Sequence, residues 1–151
     1  MKPTSIEKIR LDNFWPYQVA FLADQVMRHT LSILKSESTL NTSQWRVLAA
    51  VVDKPGRSAA DVTAITPMDK TIVSRAVRTL IKDGVIQKKQ SNADKRIMSL
   101  TPTKTGVEIY TRIASRLMQA LEANNLNDPS AADFITALKE YRQKMDKIPR
   151  S

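Results

Sequence analysis

The chain of 151 residues has no cysteine, a single histidine, three glycines and few aromatic side chains. Each shortage removes a class of chemistry. Without cysteine there is no disulfide, no thiolate metal site and no thiol-based peroxide sensor. His29 alone cannot build a His-based metal site or a His-paired nucleophile within one chain. Three glycines leave no Gly-rich loop to cradle phosphates, and the Asp and Glu residues are scattered on solvated helix faces. No metal, no cofactor and no enzymatic activity are therefore expected. Long apolar runs are missing too. None approaches the ~20 residues needed to span a bilayer, and the first ten residues lack the apolar segment of a signal peptide. The expected location is the cytoplasm, with no membrane contact.

What is present in excess is positive charge. Lys and Arg number 24 against 15 Asp and Glu, a formal net charge of +9. That balance points to a polyanionic partner, but DNA, RNA and an acidic membrane surface would satisfy it alike. The placement of the charge has to decide.

Residues up to about Asn13 read as a loosely held arm. From Phe14 to Ser36, Trp15, Val19, Leu22, Val26 and Ile33 recur at helical spacing, with Ala20, Ala23, Met27, Leu31 and Leu34 beside them. This predicts a long helix whose apolar face is too wide for one neighbour, and the second neighbour is expected to be a partner chain. Three short helices follow, each with capping-box spacing at its start: Asn41 with Gln44, Ser58 with Asp61, and Thr66 with Asp69, the last with Pro67 at the first helical position. Lys54-Pro55-Gly56 marks a turn between the first two. Three capped helices on tight connections are a helix-turn-helix layout. Gly84 ends the third. Val85 to Gln90 and Arg96 to Thr101 then read as two strands around a Ser91–Asp94 turn, a β-hairpin or wing. Helices from Thr103 to Asn124 and from about Ser130 complete the chain. The expected organisation is an N-terminal arm and long helix (1–36), a helix-turn-helix lobe with its wing (37–102) and C-terminal helices (103–151), which the resemblance given below assigns to dimerisation, DNA binding and dimerisation respectively.

In the third short helix, Ile72, Ala76 and Leu80 with Val73, Val77 and Ile81 form one stripe expected to be buried. The opposite face carries Lys70, Thr71, Ser74, Arg75, Arg78 and Lys82. Hydroxyls and guanidiniums in the N-terminal half suit base edges in a major groove, because Arg can fork onto guanine. Arg78 and Lys82 suit phosphates. A basic outer face also serves simply to keep an isolated helix solvated; the capped helices before it and the wing after it favour DNA. At the wing, Lys95 and Arg96 suit the electronegative minor groove. Asp94 would repel phosphate, so it is expected either to orient a guanidinium, Arg96 or Arg75, or to close an Asx-type turn.

These residues, from Leu40 with Gln44-Trp45-Arg46-Val47-Leu48 through Met68–Val77 and Leu80–Gly84 to Asp94-Lys95-Arg96 and Gly106, resemble the MarR family of bacterial transcription regulators. The resemblance covers roughly Phe14 to Tyr110. It implies a mostly α (α+β) fold, a winged helix-turn-helix with long N- and C-terminal dimerisation helices, acting as a homodimer on double-stranded DNA with a pseudo-palindromic operator. By position it places Thr71, Ser74 and Arg75 on the recognition helix and Arg96 on the wing. It also implies a repressor released by a small-molecule effector such as an aromatic acid, with Tyr17, His29, Trp45 and Arg46, beside Phe14, Trp15 and Pro16, as candidate lining. Taken singly, each of these residues reads more simply as core, dimer interface or surface. One departure is Pro102, where the family usually has Leu, which predicts a shortened second wing strand. Two alternatives stay open: a constitutive or architectural DNA-binding protein without an effector, and a winged helix used only for protein contacts.

Overall fold

The computed structural model describes residues 7–150. The N-terminal arm expected from the sequence falls partly on residues 1–6, which lie outside the described residues. From residue 7 the chain is irregular as far as a short 3₁₀ turn at Leu11–Asn13, whose Leu11 carbonyl accepts a hydrogen bond from the Gln18 side chain at 3.0 Å. The elements that follow are α1 (Trp15–Glu37), α2 (Thr42–Asp53), α3 (Ala59–Ile65), α4 (Lys70–Lys82), β1 (Ile86–Gln90), β2 (Met98–Pro102), α5 (Lys104–Ala123) and α6 (Ser130–Asp146). The chain divides into two units, one ending at Ile113 and the other starting at Ala114.

In the first unit, α2, α3 and α4 enclose a core of Val47, Leu48, Val51, Val62, Met68, Val73, Ala76, Val77 and Leu80, closed by Val85, Ile86 and Leu100 from the wing. The caps are what fix the helix starts. Asn41 and Gln44 exchange hydrogen bonds of 2.9 and 3.1 Å, and Ser58 and Asp61 exchange bonds of 3.1 and 2.9 Å, so both pairs form complete capping boxes. The third expected box does not form. Asp69 itself caps α4, accepting from the Ile72 N–H at 2.8 Å, and the helix begins at Lys70. Thr66 instead ends α3, its hydroxyl donating to the Val62 carbonyl at 2.9 Å. Thr66–Asp69 is thus the turn of the helix-turn-helix.

The α4 stripe is narrower than expected. Val73, Ala76, Val77 and Leu80 are buried, Ile81 is half-buried, and Ile72 is exposed. Gly84 ends the helix in a Schellman motif, with φ +70°, the Gly84 N–H donating to Ile81 and the Val85 N–H to Leu80.

β1 and β2 pair antiparallel from Ile86 opposite Pro102 to Gln90 opposite Met98. The second strand is not cut short at Pro102. Leu100 turns its N–H and C=O away from β1, to Arg57 and Gly56 at 2.8 Å each. In an antiparallel ladder this orientation recurs every second residue, so Pro102 faces the same way and its missing N–H costs the ladder nothing. At the other end the strand does start late, at Met98 rather than Arg96, because Arg96 and Ile97 belong to the turn.

Along α1 only Ile33 and Leu34 are buried; Trp15, Val19, Leu22 and Val26 stand exposed. In the second unit, Asn125 (φ 54°) ends α5 with a Leu126 N–H bond to the Leu121 carbonyl, and Asp128 accepts from the Ser130 N–H ahead of α6. Its apolar residues Phe134, Ile135, Tyr141 and Met145 are exposed, and none of its described residues is buried.

Candidate nucleic-acid interface

α4 presents the chemistry expected of it on one face. Lys70, Thr71, Ser74, Arg75, Arg78 and Lys82 are all exposed. Among the described residues no carboxylate pairs with the four cations of this set, whereas Arg28, Arg57 and Arg96 are paired with Asp24, Asp53 and Asp94. The face is held rigid by Asp69 at one end, the Schellman closure at the other and four buried side chains beneath.

The wing tip is a seven-residue loop, Ser91–Ile97, built on backbone and short side chains. The Ser91 N–H donates to the Ile97 carbonyl (2.8 Å), the Ile97 N–H to the Asp94 carbonyl (3.0 Å), and the Gln90 side chain to the Lys95 carbonyl (2.7 Å). Asp94 then performs two of its expected roles together. Its Oδ1 accepts from the Arg96 N–H at 3.0 Å, an Asx turn, and its carboxylate accepts from Arg96 Nε and Nη2 at 3.2 Å each. Arg75 is not its partner. Hydrogen bonding from the Arg96 side chain, then from its backbone, lowers the Asp94 pKa below the usual carboxylate value. The Arg96 side chain is nevertheless 91% exposed, so the guanidinium is aimed without being covered. Lys95 is exposed beside it.

Sequence reading missed two contributions. Lys88 and Lys89 on β1 are exposed, on opposite faces of the hairpin since strand neighbours alternate. Arg57, 17% exposed at its side chain, donates to the Ala50 carbonyl at 2.6 Å and to Asp53 at 2.8 Å, capping the end of α2. The backbone of the same residue receives Leu100, so Arg57 joins the end of α2 to the wing. Its i, i+4 spacing from Asp53 was the available signal.

The wing meets α5 at Thr103. Its hydroxyl lies 2.6 Å from the Gly84 carbonyl and 3.0 Å from that of Val85, and it accepts from the Gly106 N–H at 3.1 Å. A Cβ on Gly106 would sit 2.0 Å from the Val85 oxygen, which explains glycine at this position.

The candidate effector residues have different partners. Trp45 stacks on Tyr110 (centroids 5.5 Å apart, 20° between planes), and Tyr17 tilts against Phe21 at 6.4 Å. Arg46 Nη2 reaches the Met27 sulfur at 3.2 Å, bridging α2 and α1. His29 is exposed on α1. No cluster of His, Asp or Glu able to hold a metal occurs among the described residues. No helix among them is long and apolar enough to cross a membrane.

A helix-turn-helix with a basic α4 and a charged wing is also what the comparisons match. A family model described as "MarR family" covers residues 38–97, from the approach to α2 to the wing tip. Over that stretch the chain resembles the MarR family. Its fold is the mostly helical winged helix of solved MarR structures. A curated relative, the uncharacterized HTH-type transcriptional regulator YybA of Bacillus subtilis (strain 168), is 30% identical over 71 residues. That match spans 47% of each chain, about half the length of the relative. Among solved structures, a MarR/EmrR family transcriptional regulator from Acinetobacter sp. ADP1 matches with a TM-score of 0.77 at 24% identity, covering 93% of this chain and 100% of that one. Staphylococcus aureus MarR in complex with salicylate and kanamycin matches with a TM-score of 0.75 at 17% identity, covering 92% and 95%. At these identities the two structures speak for the fold alone.

Proposed function

We propose that this chain is a cytoplasmic, sequence-specific, dimeric DNA-binding regulator of the MarR type. α4 reads a major groove through Lys70, Thr71, Ser74 and Arg75, with Arg78 on phosphate, while Arg96 and Lys95 enter the adjacent minor groove. The observation that carries this reading is the Asp94–Arg96 pair: a carboxylate spent on aiming a guanidinium that stays almost fully exposed. A wing used only for protein contacts needs no such fixation, and a nonspecific DNA coat needs charge but not aim. Dimerisation is supported by the apolar residues left exposed on α1 and α6, and it would put two α4 helices one helical turn apart, ~34 Å, on a pseudo-palindrome. Selection of bound duplexes from a random pool tests the reading. A recovered consensus with two-fold symmetry is expected; random recovery would refute it.

A repressor role with release by an effector is the second part of the proposal. Arg46 favours it: this half-buried guanidinium between α1 and α2 has only a thioether as its side-chain partner, a weak acceptor that an organic carboxylate would replace. The salicylate in the S. aureus relative is an acid of that kind. Tyr17, His29 and Trp45 are the other candidate contacts. An inducer must bind the DNA-incompetent state more tightly than the competent one. Titration of aromatic carboxylates into an operator complex, with release as the expected outcome, tests it.

A further inference from the structure

Ile72 does not behave as the rest of its stripe. It is 39% exposed where Val73, next to it, is 1% exposed, and it sits in the first turn of α4. A lone exposed isoleucine is ordinary on a protein surface. Its position is what makes this one informative. Its N–H is fixed by Asp69 at 2.8 Å, and its neighbour on the helix surface at i+3 is Arg75, also exposed. Every other exposed side chain from Lys70 to Arg75 is a cation or a hydroxyl.

The N-terminal residues of such a helix are the ones that meet base edges. On the major-groove edges of the four bases, the thymine 5-methyl is the only apolar group. A rigid aliphatic side chain beside a guanidinium therefore matches a thymine next to the base that the guanidinium reads. We infer that Ile72 is a specificity-determining residue that contacts a thymine methyl in each half-site. The inference rests on the DNA-binding reading of α4 and adds to it a base identity at a position where no hydrogen bond is made.

The test uses the full-length protein and its selected duplex. Each thymine is replaced in turn by deoxyuridine, which removes the methyl and leaves the base pair. Wild-type binding is expected to weaken roughly two- to fivefold at one position per half-site, the size of one methyl-sized apolar contact. Ile72→Ala should bind the thymine duplex correspondingly more weakly and lose nothing further on the deoxyuridine duplex, while Ile72→Val should keep most of the methyl sensitivity. Thermal melting of each variant checks that the lobe remains folded. Insensitivity of the wild type at every thymine, or an equal loss in Ile72→Ala, would overturn the inference while leaving sequence-selective binding intact. A chain that selects no duplex would overturn both.

Discussion

Asp94 holds Arg96 through one backbone and two guanidinium hydrogen bonds, yet the Arg96 side chain remains open to solvent. The pair separates aim from charge, and the two can be removed separately. Arg96→Ala should weaken operator binding and reduce the salt dependence by about one counterion per wing. Asp94→Ala should weaken binding while the guanidinium and the salt slope persist. Equal binding of Asp94→Ala and wild type would mean that the fixation is irrelevant to DNA.

The same pair sets a pH expectation. The folded Asp94 pKa is depressed by Arg96, so the interaction is fully present above the ordinary carboxylate value of 3.8. It is lost as pH falls through the lower folded value. Wing-tip amide shifts followed by NMR should therefore be flat in Asp94-linked terms from neutral pH down to about 5 and move only in acid. A transition near neutrality would contradict the geometry.

Two glycines should fail for different reasons. Gly106→Ala forces a Cβ to 2.0 Å from the Val85 carbonyl oxygen, between backbones that cannot both stay in place. A loss of about 1–3 kcal/mol or more is expected. Gly84→Ala meets no atom within 4 Å and carries only the strain of φ +70°, about 1 kcal/mol. Urea unfolding should rank Gly106→Ala as the more damaging; the reverse order would refute the close approach of α5 to the wing.

Arg57→Met keeps the side-chain bulk and removes the donors to Ala50 and Asp53. It should cost roughly 1.5–3 kcal/mol, the range for hydrogen bonds involving a charged group. Because Leu100 is bonded to the Arg57 backbone, its amide should also exchange faster with deuterium. Unchanged Leu100 exchange would show that the end of α2 and the wing are independent.

A charge in the apolar face of α1 should separate the protomers. Val26→Glu changes an exposed position in a lone chain and so should spare the fold, while sedimentation should shift from dimer to monomer and operator affinity should collapse. A dimer that survives Val26→Glu would locate the interface elsewhere.

The helices and their caps were legible in the sequence because they depend on residues three or four apart, as at Asn41 with Gln44 and Ser58 with Asp61. Thr66 with Asp69 has the same spacing and failed. Asp69 had two uses, partner to a cap or cap itself, and the buried Met68 and Val73 settled which one fits. Ile72 was misread because periodicity reports an apolar stripe but not its width. Pro102 looked like a strand breaker until the direction of Leu100 was known, a matter of which neighbour lies on which edge. Arg57 was invisible as a joint because the carbonyl of Ala50 and the amide of Leu100 carry no side-chain signature. The residues of α4 and the wing that face outward were legible from pattern. The aim at the wing was legible only as alternatives, Arg96, Arg75 or an Asx turn, and the tip geometry selects Arg96 together with the turn.

The anchoring of β2 divides the hairpin into parts that can change at different rates. Leu100 is bonded to Gly56 and Arg57, and Thr103 to Gly84 and Val85, so the root of the wing takes its register from the lobe. The tip from Ser91 to Ile97 is held mainly by bonds within itself and to Gln90. Loops of other length or charge could be grafted there without resetting the strands below. On the proposed reading of the wing, groove preference at the tip can then drift, or be engineered, as a module while α4 stays in place.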